Sequence, residues 1–217
     1  MELPPGSFEF LPPDLDLPPF PPMDYDRLMS LYDAAHATEL LKRRSVTGIM
    51  IFFCLAVIAY KSRLQDMTAT SSTEAEFYAG VVCGKMTRYF RHILDELDLL
   101  LPGPTLVYTD NLANVHIVNE RRPTPRTRHV ETQHFAVQGW RENGEMIWKH
   151  FSGKINPTDD LTKALAWSLH GRHGHRAMGH CGPDNRSLQH YGLALLQSAQ
   201  QGREYEAGEG VRAPVAP

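Results

Sequence analysis

Residues 73–110 read TEAEFYAGVVCGKMTRYFRHILDELDLLLPGPTLVYTD, a helical pattern that runs directly into a strand pattern. Thr73 and Glu76 have the spacing of a capping box, which predicts the start of a helix. Gly103 and its two flanking prolines end that helix, and the β-branched run that follows predicts a short strand over 105–109. Apolar residues recur along the predicted helix at helical spacing: Phe77, Val81, Tyr89, Ile93 and Leu97.

Strand patterns precede this stretch, and helices alternate with a further strand after it. Residues 27–37 predict a first strand that ends near Asp33, and two β-branched runs over 46–53 and 57–62 predict an antiparallel hairpin. This order predicts an α/β fold in which a five-stranded mixed sheet is flanked by helices. The later elements are predicted to be a short helix to 118, a helix over 128–143, a strand over 145–151 and a helix over 157–169.

Composition divides the 217 residues into three regions. Residues 1–26 contain eight of the 16 prolines and six acids without Lys or Arg, which predicts a disordered, Pro-rich acidic leader. Residues 27–180 contain 19 Lys and Arg against 15 Asp and Glu, and we expect them to form the folded domain. Residues 181–217 predict a tail that is partly helical and then disordered. The net charge of −3 therefore conceals a basic domain.

The sequence also predicts where the chain resides. The acidic N-terminus lacks the basic, then apolar pattern of a signal peptide, and three cysteines indicate a reducing compartment. The most apolar run, 49–60, is 12 residues long, whereas a membrane-spanning helix needs about 20. We therefore expect an intracellular protein, cytoplasmic or nuclear, that is neither secreted nor bound to a membrane.

Four acids occupy positions that such a fold brings to one edge of the sheet: Asp33, Glu76, Asp110 and Asp159. Each has an ordinary interpretation as well. Glu76 has the spacing of a capping-box partner, Asp110 that of a cap for the next helix, and Asp159 that of a first-turn acid. Because clustered carboxylates repel one another, a cluster of all four predicts a hard divalent cation such as Mg²⁺ among them.

The residues around these acids form a series of recognisable sequence motifs. In order, they are YDAAHA at 32–37, RRSVTG at 43–48, AYKS at 59–62, SSTEAEFYA at 71–79, YTDN at 108–111, RTRHV at 126–130 and NPTDDLTK at 156–163. Over about residues 31–180 the chain resembles the ribonuclease H domain of copia-type (Pseudoviridae-like) LTR retrotransposon Pol polyproteins. The first motif, YDAAHA, departs from the family's usual Asp-Ala-Asp-Trp-Ala, although it keeps the first Asp.

This resemblance implies a ribonuclease H-like fold and the hydrolysis of the RNA strand of RNA–DNA hybrids during reverse transcription. It implies two Mg²⁺ ions, or Mn²⁺, held by four catalytic acids, Asp33, Glu76, Asp110 and Asp159. Glu74 is the poorer candidate for the helix acid, and Asp160 is the alternative to Asp159. The implied partners are the RNA–DNA hybrid and an upstream reverse-transcriptase segment of a polyprotein, which these residues do not include.

Basic and polar residues near the predicted acids are candidates for binding the hybrid: Arg43, Arg44, Ser72, Asn111, Arg126 and Arg128. Arginines suit phosphates, and small polar groups suit the 2′-hydroxyls that distinguish RNA from DNA. Two other functions remain open at this point. One is a catalytically inactive remnant that at most binds nucleic acid. The other is an interaction protein that uses the Pro-rich leader as a ligand.

Overall fold

The computed structural model describes residues 27–39, 41, 43–99, 103–119 and 131–177. The predicted leader and tail lie outside these residues, so the predicted domain boundaries stay predictions. Arg126 and Arg128 also lie outside them. No helix in the described ranges is both long enough and apolar enough to cross a bilayer.

Five strands form one mixed sheet in the order β3-β2-β1-β4-β5. β1 pairs antiparallel with β2, and β2 with β3, whereas β1–β4 and β4–β5 are parallel. This pairing confirms the predicted hairpin and the predicted five-stranded mixed sheet. It also brings the carboxyl ends of β1, β4 and β5 to one edge. The strands are β1 Met29–Ala35, β2 Val46–Phe53, β3 Ala56–Leu64, β4 Thr105–Thr109 and β5 Met146–His150.

Three of the four described helices pack on one face of this sheet, and two glycines let the longest, residues 72–96, lie close to β1 and to a neighbouring helix. A Cβ on Gly80 would lie 2.9 Å from Tyr32 of β1, and one on Gly84 would lie 2.3 Å from Trp140. Any side chain at either position would push the helix away from the core. The helices are α1 Ser72–Glu96, α2 Leu112–Asn119, α3 Glu131–Glu142 and α4 Trp167–Ala177.

The alternation of side chains along the strands builds two apolar clusters, one on each face. Ile49 and Ile51 point towards α1 and join a cluster that includes residues of α2 and α3. Met50 and Phe52 point the other way and pack with Phe151 and other residues. The second face is covered in part by two 3₁₀ turns, Gly153–Ile155 and Pro157–Leu161, which follow β5.

The start of α1 differs from the prediction. Ser71, and not Thr73, is the N-cap, and its hydroxyl accepts a hydrogen bond from the Glu74 backbone N–H. Glu74 Oε2 in turn accepts one from the Thr70 backbone N–H. Thr70, Ser71, Ser72 and Thr73 all have capping chemistry, so the pattern alone does not fix which of them is the N-cap. The capping interpretation of Glu76 is therefore wrong.

The predicted helix over 157–169 is also wrong. Residues Pro157–Leu161 form a 3₁₀ turn, and α4 begins only at Trp167. The turn packs directly on β2, where a Cβ on Gly48 would lie 2.8 Å from the Thr158 carbonyl oxygen. A proline at a first turn suits either kind of helix, and here the packing on Gly48 accompanies the tighter one.

Candidate active site

Asp33 lies near the end of β1, opposite Gly48 of β2. Its side chain is 3% exposed. One of its oxygens, Oδ2, accepts a hydrogen bond of 2.5 Å from the Thr162 hydroxyl and lies 3.3 Å from Lys163 Nζ. Asp33 is therefore a buried carboxylate whose charge is partly balanced from the segment that follows the Pro157–Leu161 turn.

Glu76 reaches the same place from the first turns of α1. Its Oε1 accepts a 3.3 Å hydrogen bond from the backbone N–H of Ala34, which ties the helix to β1. Its Oε2 is buried and has no hydrogen-bond partner among the described residues. Burial, chiefly, together with the negative charges of Asp33 and Asp110, raises the pKa of Glu76 to about 9. An orphaned, buried carboxylate oxygen is costly unless it meets a cation or a proton.

Asp110 follows the last residue of β4 at the carboxyl edge of the sheet. It lies against Gly153, where an added Cβ would be only 2.7 Å from Asp110 Oδ2. Burial and the charge of Asp33 raise the pKa of Asp110. The capping interpretation of Asp110 is wrong, because Asn111 Oδ1 accepts the hydrogen bond from the Asn114 backbone N–H at the start of α2.

The structure brings these three acids together. Asp33, Glu76 and Asp110 each offer an oxygen, and these oxygens lie within 4.8 Å of one another. Carboxylate oxygens are the ligands that hard divalent cations prefer. Such an ion would also satisfy the orphaned Glu76 oxygen and offset the repulsion among the three charges. The three residues are therefore compatible with divalent metal binding.

Asp159 lies on the Pro157–Leu161 turn, beside this trio but outside its 4.8 Å group. Its Oδ1 lies 2.9 Å from Lys163 Nζ. The pKa of Asp159 is raised to about 6, chiefly by burial and also by the charges of Asp33 and Asp110, although Lys163 lowers it. The fourth predicted acid is thus near enough to the trio for the charges of Asp33 and Asp110 to raise its pKa.

Asp160, the neighbouring alternative, points to different partners. Its two oxygens lie 3.2 Å from His170 Nδ1 and 3.1 Å from His173 Nδ1, both on α4. Glu74, the alternative on α1, is engaged at the helix cap. Asp160 therefore attaches α4 to the turn, and Asp159 is the acid that shares Lys163 with Asp33.

Thr162 and Lys163 are site residues to which the sequence reasoning assigned no role. Both contact Asp33 Oδ2, across a sequence separation of about 130 residues. They belong to the motif NPTDDLTK. The i, i+4 spacing of Asp159 and Lys163 is the one signal in the sequence that indicates an ion pair there. Their contact with Asp33 depends on how the turn packs against the sheet, which no local pattern shows.

The candidate substrate residues lie around this edge where the structure describes them. Arg43 is exposed and Arg44 half-buried, both in the connection that leaves the carboxyl end of β1. Ser72 is exposed in the first turn of α1. Asn111 uses its side-chain oxygen to cap α2.

The curated relatives of this chain are polyproteins of plant transposons. It is 29% identical over 133 residues to the retrovirus-related Pol polyprotein from transposon TNT 1-94 of Nicotiana tabacum. The matched region covers 61% of this chain and 10% of that polyprotein. It is 24% identical over 122 residues to the corresponding polyprotein from transposon RE2 of Arabidopsis thaliana, covering 56% of this chain and 8% of the relative. The chain thus spans about a tenth of the length of these relatives. They confirm the resemblance to retrotransposon Pol polyproteins.

Among solved structures, the chain is similar to LC11-RNase H1 in complex with an RNA/DNA hybrid. The TM-score is 0.47 and the identity 12%, over 63% of this chain and 94% of that one. No family model matches the chain.

Proposed function

We propose that this chain, a homologue of retrotransposon Pol polyproteins, is a ribonuclease H that cleaves the RNA strand of RNA–DNA hybrids with divalent metal ions. One observation supports the proposal most. Three buried or half-buried carboxylates from β1, α1 and the end of β4 converge within 4.8 Å, and one Glu76 oxygen among them lacks a partner. A proton on Glu76 relieves such repulsion in the metal-free chain, and a bound divalent cation would relieve it by replacing that proton.

Asp33, Glu76, Asp110 and Asp159 are the residues that would hold Mg²⁺ or Mn²⁺. Two such ions activate the attacking water and stabilise the leaving oxygen of a phosphodiester. The chain's own part is to position these carboxylates before the substrate arrives. The Ala34 backbone N–H orients Glu76, and the Thr162 hydroxyl orients Asp33. His150 Nε2, 3.1 Å from the Asp110 backbone carbonyl, places an exposed imidazole beside the site.

The same edge of the sheet offers groups for the nucleic acid. Arg43 and Arg44 suit phosphates, and Ser72 and Asn111 suit the 2′-hydroxyls of the RNA strand. Arg126 and Arg128, outside the described residues, are proposed to add phosphate contacts. The relationship to Pol polyproteins supports a reverse-transcriptase segment as the upstream partner within a longer chain.

The test is cleavage of a labelled RNA–DNA hybrid in the presence of Mg²⁺ or Mn²⁺. We expect shortened RNA fragments from the wild-type chain, and no cleavage of a DNA duplex. Asp110→Asn should abolish cleavage and leave hybrid binding largely intact, because it removes a charged ligand without removing the basic groups. Asp66→Asn is the matched control, since Asp66 is an exposed acid whose only described ion pair is with Arg63. Its activity should equal that of the wild type.

One outcome contradicts the proposal, and hybrid binding then decides what replaces it. If the wild-type chain cleaves no more RNA than Asp110→Asn does, the enzyme assignment is wrong. If it then still binds the hybrid, the catalytically inactive nucleic-acid-binding remnant becomes the better description.

A further inference from the structure

Lys163 occupies an unusual place in the candidate site. Its Nζ lies 3.3 Å from Asp33 Oδ2 and 2.9 Å from Asp159 Oδ1, so one ammonium group bridges two of the four acids. The Asp33 side chain is 3% exposed and that of Asp159 15%, whereas Lys163 is 41% exposed. The ammonium therefore enters the cluster from the solvent side, on a flexible stem that has room to withdraw.

This bridge affects the electrostatics of any cation that approaches. Lys163 contacts one oxygen of each of two carboxylates, Asp33 and Asp159, that would attract a divalent ion. An ammonium and a divalent ion repel each other, and their repulsion is strongest in a site that is partly shielded from water. Carboxylates neutralised by Lys163 are correspondingly weaker ligands.

Contacts other than those of Lys163 also hold the turn in place. The Ser62 hydroxyl donates a 2.6 Å hydrogen bond to the Leu161 carbonyl, and Thr162 bonds to Asp33. Asp160 attaches the turn to His173 of α4. A role beyond anchoring is therefore left for the charge of Lys163.

We propose that Lys163 is a built-in competitor of the divalent cation on the Asp33–Asp159 side of the site. The inference rests on the proposed function. In the metal-free chain the ammonium balances these two carboxylates. When a divalent ion binds them, Lys163 withdraws towards solvent, so that metal affinity without substrate is kept low.

The experiment measures Mn²⁺ binding to the full chain without nucleic acid, by the electron paramagnetic resonance signal of free Mn²⁺ at low ionic strength. Removing the competing charge in Lys163→Met should tighten Mn²⁺ binding by roughly three- to tenfold, the range that two partly exposed ion pairs allow. Lys163→Arg keeps the charge and should bind Mn²⁺ as the wild type does. Lys85→Met is the matched control, because it removes the same charge from an exposed position on α1.

The outcomes separate this proposal from the proposed function. If Lys163→Met binds Mn²⁺ no more tightly than the wild type, or more weakly, the competition is wrong and Lys163 is only an anchor. If Asp110→Asn nevertheless loses Mn²⁺ binding, the metal site of the proposed function stands. If neither the wild type nor Lys163→Met binds Mn²⁺, both proposals are overturned.

A second measurement does not depend on the folding of Lys163→Met. The ¹³Cε and ¹⁵Nζ signals of Lys163 in the otherwise wild-type chain are assigned with Lys163→Arg and followed while Mg²⁺ is added. Release from the carboxylates should move them towards the values of an exposed lysine. Signals that stay unchanged at saturating Mg²⁺ contradict the proposal.

Discussion

The candidate site has two parts that are held in different ways. The sheet part consists of Asp33, Glu76 and Asp110, which stand on or directly beside β1, α1 and β4. The turn part consists of Asp159 and Lys163, which belong to the Pro157–Leu161 turn and its C-terminal flank. The sheet part is positioned by strand pairing and by the apolar core around α1. The turn part lies outside the strand pairing and is positioned by its packing on Gly48 and by polar contacts such as Ser62 to Leu161 and Thr162 to Asp33.

The difference indicates which part of the site is able to adjust. Carboxylates on paired strands and a buried helix move only if the core moves, and a close-packed core resists that. A short 3₁₀ turn that packs on the outside of the sheet and takes no part in strand pairing is expected to open at a lower free energy. We therefore expect substitutions in the sheet part to have large effects, and substitutions that loosen the turn part to have graded ones.

The largest effect is expected at the buried helix acid. Glu76→Gln removes a charged ligand and should weaken Mn²⁺ binding by about 100-fold or more and abolish cleavage. It should also stabilise the metal-free chain at pH 8 by roughly 1–3 kcal/mol, because it removes the cost of a buried carboxyl without a partner. Urea unfolding in the presence of a chelator, with Glu96→Gln at an exposed site as the control, measures this change.

The pH dependence of that change follows from the pKa of Glu76. Its ordinary value of 4.5 applies to the unfolded chain, and the folded value is about 9. The folded state therefore keeps a proton that the unfolded state releases, so the contribution of Glu76 to stability is present in full below pH 4.5. It is lost as the pH rises towards 9. The stability advantage of Glu76→Gln should grow from pH 5 to pH 8, and an advantage independent of pH would contradict the assigned pKa.

A smaller but still large effect is expected from a residue that touches the sheet part without being an acid. Gly153→Ala places a Cβ 2.7 Å from Asp110 Oδ2, so the carboxylate must move. A displaced catalytic group should lower the cleavage rate by about 10- to 100-fold. Thermal stability should change little, because the atom that the new Cβ meets is the end of one side chain and not the backbone.

Gly139→Ala is the matched glycine substitution. A Cβ at this position on α3 has no neighbour within 4 Å. Because alanine favours the helix, we expect unchanged cleavage and a gain of roughly 0.5–1 kcal/mol in stability. Equal cleavage rates for the two alanine variants would show that Gly153 does not constrain Asp110.

The smallest effect is expected in the turn part. Ser62→Ala removes the 2.6 Å hydrogen bond to the Leu161 carbonyl, which should cost about 0.5–1.5 kcal/mol of local stability. Amide hydrogen exchange over 157–163 should become faster, and cleavage should fall by a few-fold only. Ser62→Thr keeps the hydroxyl and should restore both values. A loss of cleavage as large as that of Gly153→Ala would mean that the two parts are held equally firmly.

Much of the fold was predictable because its signals are local. β2 was predicted with its observed bounds, and the hairpin with β3 followed from two β-branched runs separated by a short turn. The long helix was predicted from its apolar spacing, although it begins one residue earlier and ends at Glu96. Its start was misassigned because Ser71 and Thr73 have the same capping chemistry.

The candidate site was predictable to a smaller extent. Asp33, Glu76 and Asp110 were chosen because strands and helices in this order present their ends at one edge, and the structure brings them together. Their roles as metal ligands and catalytic acids stay predictions. The choice between Asp159 and Asp160, and the contact of Lys163 with Asp33, depended on the direction in which one short turn faces.

The sequence by itself determined the order of the strands and helices, and from that order the prediction of a mixed sheet, together with the motifs that point to retrotransposon Pol polyproteins. The patterns behind these predictions all lie within short stretches of the chain. The tertiary structure alone decided that the last acid lies on a 3₁₀ turn packed on Gly48, and that Lys163 shares its charge between Asp33 and Asp159. The physical reason is that charge and packing act through space. Residues 130 positions apart in the chain become neighbours only when the sheet has formed and the turn has docked on it.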